Sequence, residues 1–372
     1  MLAIQKYLFK YGLEKTIKDF SLKMKDYDHK ILLKYDQIES NFKYEEVRDC
    51  RGLILKKSDW SIMSLGFRKF FNYGEGYAAN LDYNTTDVYE KKDGTFIQLY
   101  YDDILNSWEV GTTGTADGHS EVNNKPNTKF SQLFWETILD NSKYTKDVLL
   151  SKLLPGLVYI FELCSHYNIV VTKHLKSHVN LLAIRDVYFM YEYKRSIVER
   201  IASFLNVEIV KKYALKADVQ ELIKYLSIQP YTDEGYVLCD ANFNRIKIKN
   251  PSYLAVHYIK EKTAQWRVID IIKSNEIEEF ISTFIERKDE LYTLMHKYIH
   301  LSNKLALCCE KLAIYTDRKE YAIKTLEMCQ KLNIKQFQSF MFSKYDNSNI
   351  SSKDFLKDYD GKKLYKYLTY AI

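Results

Sequence analysis

Glycine and proline are scarce in this chain and unevenly placed, and that limits its fold more than any other property of the sequence. The 372 residues include 12 glycines and 4 prolines, and after Pro251 only Gly361 follows. Strand-to-strand turns lean on both residue types for the backbone conformations they permit, so the last third of the chain has little means of turning between strands. Its apolar residues instead recur every three or four positions. Ile277, Phe280, Ile281 and Phe284 form one stripe, and Leu291, Leu294, Met295 and Tyr298 form another. That period predicts amphipathic helices from about Tyr253 onward. The boundary falls at Asn250-Pro251-Ser252, since proline disfavours helix in the residue before it.

Upstream the punctuation differs. From Gly52 to Gly235 turn residues separate short runs such as Gly52-Leu53-Ile54-Leu55, Phe96-Ile97-Gln98-Leu99-Tyr100-Tyr101, Leu157-Val158-Tyr159-Ile160-Phe161 and Val179-Asn180-Leu181-Leu182-Ala183-Ile184. Runs rich in β-branched and aromatic residues and bounded by turns read as strands. Lys129 to Leu153 has helical spacing instead. The expected fold class is α+β, with residues 1–252 carrying antiparallel sheets and flanking helices and residues 253–372 forming an all-α domain. Two domains also suit the length, which exceeds what one core usually supports.

Composition excludes disorder: 46% of residues are hydrophobic and 28% charged. The net charge of +6 suits a polyanionic partner but decides little alone. The six cysteines contain no C-x-x-C pair and read as reduced, buried residues of a cytoplasmic protein. No apolar run has bilayer length and the first residues lack a signal-peptide core, so a soluble intracellular protein without membrane contact is expected.

Candidate chemistry begins at Glu90-Lys91-Lys92-Asp93-Gly94-Thr95. Val88 to Lys91 alternates like a strand and Asp93-Gly94 signals a tight turn. An isolated K-x-D-G is ordinarily a hairpin with a solvated lysine at its tip. Alternatively it holds a lysine rigidly beside a small Gly94 that lets a nucleotide approach the backbone. A lysine attacks phosphorus only as the neutral amine, so neighbouring cations or burial must favour that form. Arg245-Ile246-Lys247-Ile248-Lys249 supplies cations, since as a strand it carries Arg245, Lys247 and Lys249 on one face. The plainer reading is an edge strand blunted by lysines. Glu162 interrupts an apolar strand and Glu234 opens Glu234-Gly235-Tyr236-Val237. Each simply faces water or meets a metal or ribose hydroxyl. Arg51-Gly52 before a strand, and Arg68-Lys69-Phe70-Phe71-Asn72, interleave cations with aromatics as phosphate contact and base stacking require.

The order of these segments resembles the covalent nucleotidyltransferase superfamily of ATP-dependent ligases and messenger-RNA capping enzymes. It is most similar to the RNA ligase 1 family of the T-even bacteriophages. The stretches that carry the resemblance are Cys50-Arg51-Gly52, Lys69-Phe70-Phe71-Asn72, Lys91-Lys92-Asp93-Gly94-Thr95, Glu234-Gly235-Tyr236-Val237 and Lys247-Ile248-Lys249. Lys34-Tyr35-Asp36 and, in the tail, Asp317-Arg318-Lys319-Glu320-Tyr321-Ala322 add to it. DNA ligases and capping enzymes continue into a β-barrel, which a tail with one glycine supplies poorly, so the RNA ligases are favoured.

The resemblance implies residues 1–252 as an adenylyltransferase domain and residues 253–372 as a helical reader of the RNA substrate. It implies Lys91 as the lysine adenylated by ATP, with Lys247 and Lys249 on the phosphates. Tyr35, Arg51, Lys69, Phe71 and Glu90 are expected around the nucleotide or the RNA 5′-phosphate, and Glu162 on the ribose. Glu234 and Asp93 would orient the waters of a catalytic Mg²⁺ or Mn²⁺, and Tyr253 would serve sealing. Where the family has a lysine after the nucleophile, this chain has Thr113, so one cationic contact is missing. The implied substrates are RNA ends bearing 5′-phosphate and 3′-hydroxyl, cleaved transfer RNA among them. A separate polynucleotide kinase-phosphatase would prepare those ends. A monomer is expected, in the host cytoplasm if viral. A DNA ligase or capping enzyme of the same superfamily, or a non-catalytic RNA-binding protein, are the alternatives.

Overall fold

Alternation along the strands builds the architecture seen in the computed structural model of the chain. The structure describes every residue except 38, 215–217, 255–265, 267, 275, 284, 347–348 and 371–372. Phe284, placed above in a helical stripe, therefore lies outside the described residues. The chain divides into two compact units, Met1–His257 and Tyr258–Ile372.

In the first unit, β1 (Leu22–Asp26), β2 (Lys30–Tyr35), β3 (Arg51–Lys56) and β4 (Ile62–Ser64) form an antiparallel sheet. Ile31 and Leu33 point to one face, where they pack with Ile4, Leu8 and Phe20 from α1 (Ala3–Tyr11) and α2 (Leu13–Phe20) and with Val47 of α3 (Glu45–Asp49). Leu32 and Ile54 point to the other, against Phe96, Tyr100, Val158 and Ile160 of a second sheet. That sheet runs β13-β12-β11-β7-β8, from β7 (Thr95–Asp102), β8 (Ser107–Thr112), β11 (Leu157–Cys164), β12 (His178–Asp186) and β13 (Glu208–Ile209). Its far face takes Ile97, Leu99 and Phe161 against α4 (Phe130–Asp140), α5 (Lys146–Leu150) and α6 (Arg195–Leu205). Both of its faces are covered, which is why its strands read as near-continuous apolar runs.

A third sheet runs β14-β6-β15-β16-β5, from β5 (Phe71–Asn72), β6 (Asp87–Lys91), β14 (Lys212–Ala214), β15 (Gly235–Cys239) and β16 (Arg245–Lys249). One face carries Val88, Leu238, Ile246 and Ile248 against Val219 and Leu226 of α7 (Val219–Ser227). The other face is polar and opens onto a cleft. A short pair, β9 (Glu121–Val122) with β10 (Lys125–Lys129), precedes α4.

The helical spacing over Lys129 to Leu153 is taken up by two helices, α4 and α5. Asn141 Nδ2 donates to the Thr137 carbonyl (2.8 Å) at the end of α4, and the Thr145 hydroxyl caps α5. Local hydrogen bonding by Asn and Thr outcompeted the apolar period there.

The second unit is helical: α8 (Val268–Ser274), α9 (Ile277–Thr283), α10 (Lys288–Leu312), α11 (Arg318–Lys331), α12 (Gln338–Asp346), α13 (Ser352–Asp358) and α14 (Gly361–Tyr370). Leu291, Leu294 and Tyr298 are buried along α10, and Met295 packs beside them. Asp317 starts α11 by accepting the Glu320 backbone N–H at 2.9 Å. All six cysteines are buried and free of disulfides. Among the described residues, no helix is long and apolar enough to cross a membrane.

Candidate active site

The K-x-D-G stretch is a crossing between sheets. Lys91 ends β6, Thr95 begins β7, and the two strands belong to different sheets. The hairpin reading is therefore wrong, and tertiary contacts supply the reason. Asp93 is buried; its Oδ2 accepts the backbone N–H groups of Val171 (2.9 Å) and Thr172 (2.6 Å), and its Oδ1 accepts the Tyr253 hydroxyl (3.0 Å). A Cβ on Gly94 would stand 2.6 Å from the Leu163 carbonyl oxygen and 3.1 Å from Glu162 Cγ. Glycine is required here for contact with β11, as well as leaving the backbone open to the cleft.

Register brings the cations together. Gly235 of β15 lies opposite Lys91 of β6 and Lys249 of β16, and Val237 lies opposite Tyr89 and Lys247. Directly opposed residues share a face, so Lys91, Lys247 and Lys249 stand on one surface as the alternation required. The edge-strand reading is corrected, because β16 lies between β15 and β5. Gly235 makes the close register possible: its φ is 142°, and a Cβ there would lie 2.1 Å from the Ile248 oxygen. Glu234, just before it and 5% exposed, accepts a hydrogen bond from Lys91 Nζ at Oε1, while Lys249 Nζ is 3.6 Å from the same oxygen. Arg245, third on this face, is committed to a bidentate pair with Glu192.

The opposite wall comes from the second sheet and β3. Val158, Ile160 and Glu162 share one face of β11; the first two are packed in the core and Glu162 reaches the cleft. Burial pushes its carboxyl up to about 8, reinforced by the charges of Glu234 and Asp93 and opposed by Lys91 and Arg51. Arg51 lies with its guanidinium 4.6 Å from the Phe96 ring centre, and its Nη1 is buried with no hydrogen-bond partner. A buried donor left unmatched is costly unless a ligand supplies the acceptor. The cleft is about 650 Å³, a size that suits a nucleotide. Thr113 lines it in place of the expected lysine.

Other expected residues are elsewhere. Lys69 Nζ lies 5.5 Å from the Tyr35 ring and 5.4 Å from each of the Phe42 and Phe71 rings. Tyr35, Lys69 and Phe71 thus form a cation–π cluster of their own, and none of them lines the cleft. Glu90 borders the cleft, but its register partner is Tyr236, on the face away from Lys91, and its carboxylate takes Lys92 Nζ at 2.6 Å. Tyr253 is 1% exposed and supports Asp93 from behind. One cleft residue escaped the sequence reading. Arg195, at the start of α6, faces Tyr89 at 5.4 Å and has a buried Nη1 without a partner. Lys194-Arg195 carries no local signal that separates it from a solvated helix end.

The chain is similar to several known proteins. The family model described as RNA ligase, of the T4 type 1 group, matches residues 49–253, which include every expected site residue except Tyr35. An RNA ligase of Rhodothermus phage RM378 is 28% identical over 316 residues, covering 68% of this chain and 71% of that protein. A protein of Autographa californica nuclear polyhedrosis virus, described as a bifunctional polynucleotide kinase/RNA ligase, is 25% identical over 302 residues. The match covers 76% of this chain and 42% of the viral one. Among solved structures, an archaeal ATP-dependent RNA ligase is similar over 80% of this chain and 79% of its own, at 11% identity and a TM-score of 0.47. A Naegleria gruberi RNA ligase mutant with ATP and Mn is similar over 46% of this chain and 51% of its own, at 16% identity and a TM-score of 0.35.

Proposed function

This chain belongs to the RNA ligase family, and we propose that its cleft joins RNA 5′-phosphate and 3′-hydroxyl ends at the expense of ATP, with Lys91 as the nucleophile. The observation that carries the reading is the row Lys91–Gly235–Lys249, with Glu234 on the Lys91 amine and the unmatched Arg51 donor across the cleft.

Lys91 attacks the α-phosphate of ATP; a P–N bond forms, the bond to the β-phosphate oxygen breaks, and pyrophosphate leaves. Glu234, already hydrogen-bonded to the amine, receives its proton, and the approach of phosphate among Lys247, Lys249 and Arg51 balances the charge. An oxygen of the RNA 5′-phosphate then attacks the lysyl-adenylate. The P–N bond breaks, Lys91 regains a proton and the RNA carries a 5′-to-5′ pyrophosphate. Finally the 3′-hydroxyl attacks the RNA phosphate, loses its proton and expels AMP. Positioning and cationic stabilisation of spreading phosphate charge supply the rate in each step.

Glu162, with its raised pKa, holds a proton at neutral pH and so both donates to and accepts from a ribose hydroxyl. The unmatched Arg51 and Arg195 donors suit phosphate or nucleotide oxygens. The carboxylates beside Lys91 also fit a divalent cation held through water by Glu234, which would supply positive charge to the phosphates. Asp93 has both oxygens engaged by protein groups and acts as the anchor of the turn. Lys69, held outside the cleft over the buried Tyr35 and Phe71 rings, offers a second phosphate contact for the RNA end. The helical unit reads the RNA, cleaved transfer RNA among its substrates. The kinase named in the baculovirus relative suits a partner that prepares the ends.

Incubation with α-labelled ATP and magnesium tests the reading. Wild type acquires acid-labile, hydroxylamine-sensitive label, and Lys91→Ala acquires none. Label on the alanine variant at the wild-type level would remove Lys91 from the role.

A further inference from the structure

Behind the K-x-D-G turn, three side chains from the end of β11, the start of β12 and the loop between them converge. Single ligand atoms of Cys164, His174 and His178 all lie within 4.8 Å of one another. Cys164 ends β11 and stands opposite His178, the first residue of β12, in the register. His174 comes from the loop that joins those strands. Neither the cysteine spacing nor the family resemblance points to this grouping.

Hydrogen bonding orients both rings. His174 Nε2 lies 2.6 Å from the Asp93 carbonyl oxygen, and His178 Nδ1 lies 3.1 Å from the Lys176 carbonyl oxygen. A carbonyl only accepts, so each of those nitrogens carries the proton and the other ring nitrogen offers a lone pair. Two imidazole lone pairs and a buried sulfur that is not in a disulfide therefore share one small space. A single S–H cannot satisfy two acceptors. Imidazoles fixed by carbonyl oxygens are the usual setting of a metal site. One sulfur and two nitrogens select a borderline-soft ion over magnesium or calcium, which prefer oxygen. Bond lengths of about 2.0–2.3 Å around tetrahedral zinc bring ligand atoms to roughly 3.5 Å, within reach of small side-chain rotations from the present separations.

We propose that Cys164 Sγ, His174 Nδ1 and His178 Nε2 bind one Zn²⁺, with a water completing the tetrahedron. The site is structural and positions the nucleophile's turn. The loop of residues 165–177 already supports Asp93 through the Val171 and Thr172 backbone N–H groups, and the Thr172 hydroxyl donates to the Thr232 carbonyl at 2.9 Å. Zinc would tie this loop to the ends of β11 and β12, while the second ring nitrogen of His174 holds the Asp93 carbonyl. The assignment does not depend on the ligase reading, and its readout is separate from activity.

The full-length protein, stripped with chelator and then dialysed with Zn²⁺, is expected to retain about one equivalent by elemental analysis. Co²⁺ in its place gives a tetrahedral visible spectrum with a thiolate-to-cobalt charge-transfer band. Cys164→Ser loses that band, and His178→Asn, at a half-exposed position the core does not depend on, loses most of the metal. Zn²⁺ also slows hydrogen exchange across residues 165–177. Retention below about one-tenth of an equivalent, or a cobalt band that survives both substitutions, overturns the site. If Cys164→Ser does not fold, the wild-type spectrum and His178→Asn decide between the same two outcomes.

Discussion

Glu162 sits in the cleft with its carboxyl pushed up to about 8 from an ordinary 4.5, chiefly by burial. The folded protein holds this proton in a pH range where the unfolded chain has released it. Stability from this group is therefore greatest below the unfolded value and declines as pH rises toward 8. Glu162→Gln removes the dependence. The variant should melt above wild type at about pH 9 and lose that advantage at about pH 5, as thermal melts at both values would read. Equal shifts at the two pH values would separate the effect from the carboxyl. Arg51 behaves differently, since its buried Nη1 bonds nothing in the free protein. Arg51→Ala should cost only about 0.5–1 kcal/mol through the lost Phe96 contact. Its adenylation should fall by roughly 10- to 100-fold, because the lost interaction is one made to the phosphate. A melting temperature that drops as steeply as activity would make Arg51 a structural residue instead.

Among the elements, β15 sets the geometry of the site. Its first residue, Gly235, lies between Lys91 and Lys249 at a φ of 142°, with no room for a Cβ beside the Ile248 oxygen. Gly235→Ala should destabilise the protein by about 3 kcal/mol, combining a backbone conformation alanine resists with a direct clash. Urea unfolding checks this, and a change under about 0.5 kcal/mol, typical of a surface substitution, would mean that the strand accommodates the methyl. Elements were largely legible in the sequence where period and punctuation agreed, as along β11, β12 and α10. At Lys129 to Leu153 the helical period was legible but the break was not, since Asn141 and Thr145 end one helix and begin another through local hydrogen bonds. The hairpin reading failed at Lys91, because a turn joining two sheets has the same local composition as a hairpin.

At the scale of the whole molecule, each compact unit buries its own core, with residues 268–368 contributing to one cluster and the strands and helices before Asn250 to the others. Domains with separate cores commonly fold alone. A chain of residues 1–257 should fold and form lysyl-adenylate at a rate comparable to the full protein, while sealing of RNA ends falls. Circular dichroism and the labelling assay measure the two separately. A folded fragment that seals as well as the full chain would end the substrate-reading role of the helical unit. By itself the sequence determined the α+β class, the helical tail, the K-x-D-G stretch as a turn after a strand and the shared face of Lys247 and Lys249, because each follows from a local period or a short motif. The tertiary structure alone decided that Glu234 meets Lys91, that Glu162 and Arg51 share the wall opposite it, and that Tyr35, Lys69 and Phe71 cluster apart from the cleft. It also brought Cys164 beside His174 and His178. The physical reason is that these contacts are fixed by register and by which face each sheet buries, between elements far apart in the chain for the cleft and across neighbouring strands for Cys164 and His178, and side-chain spacing alone records neither.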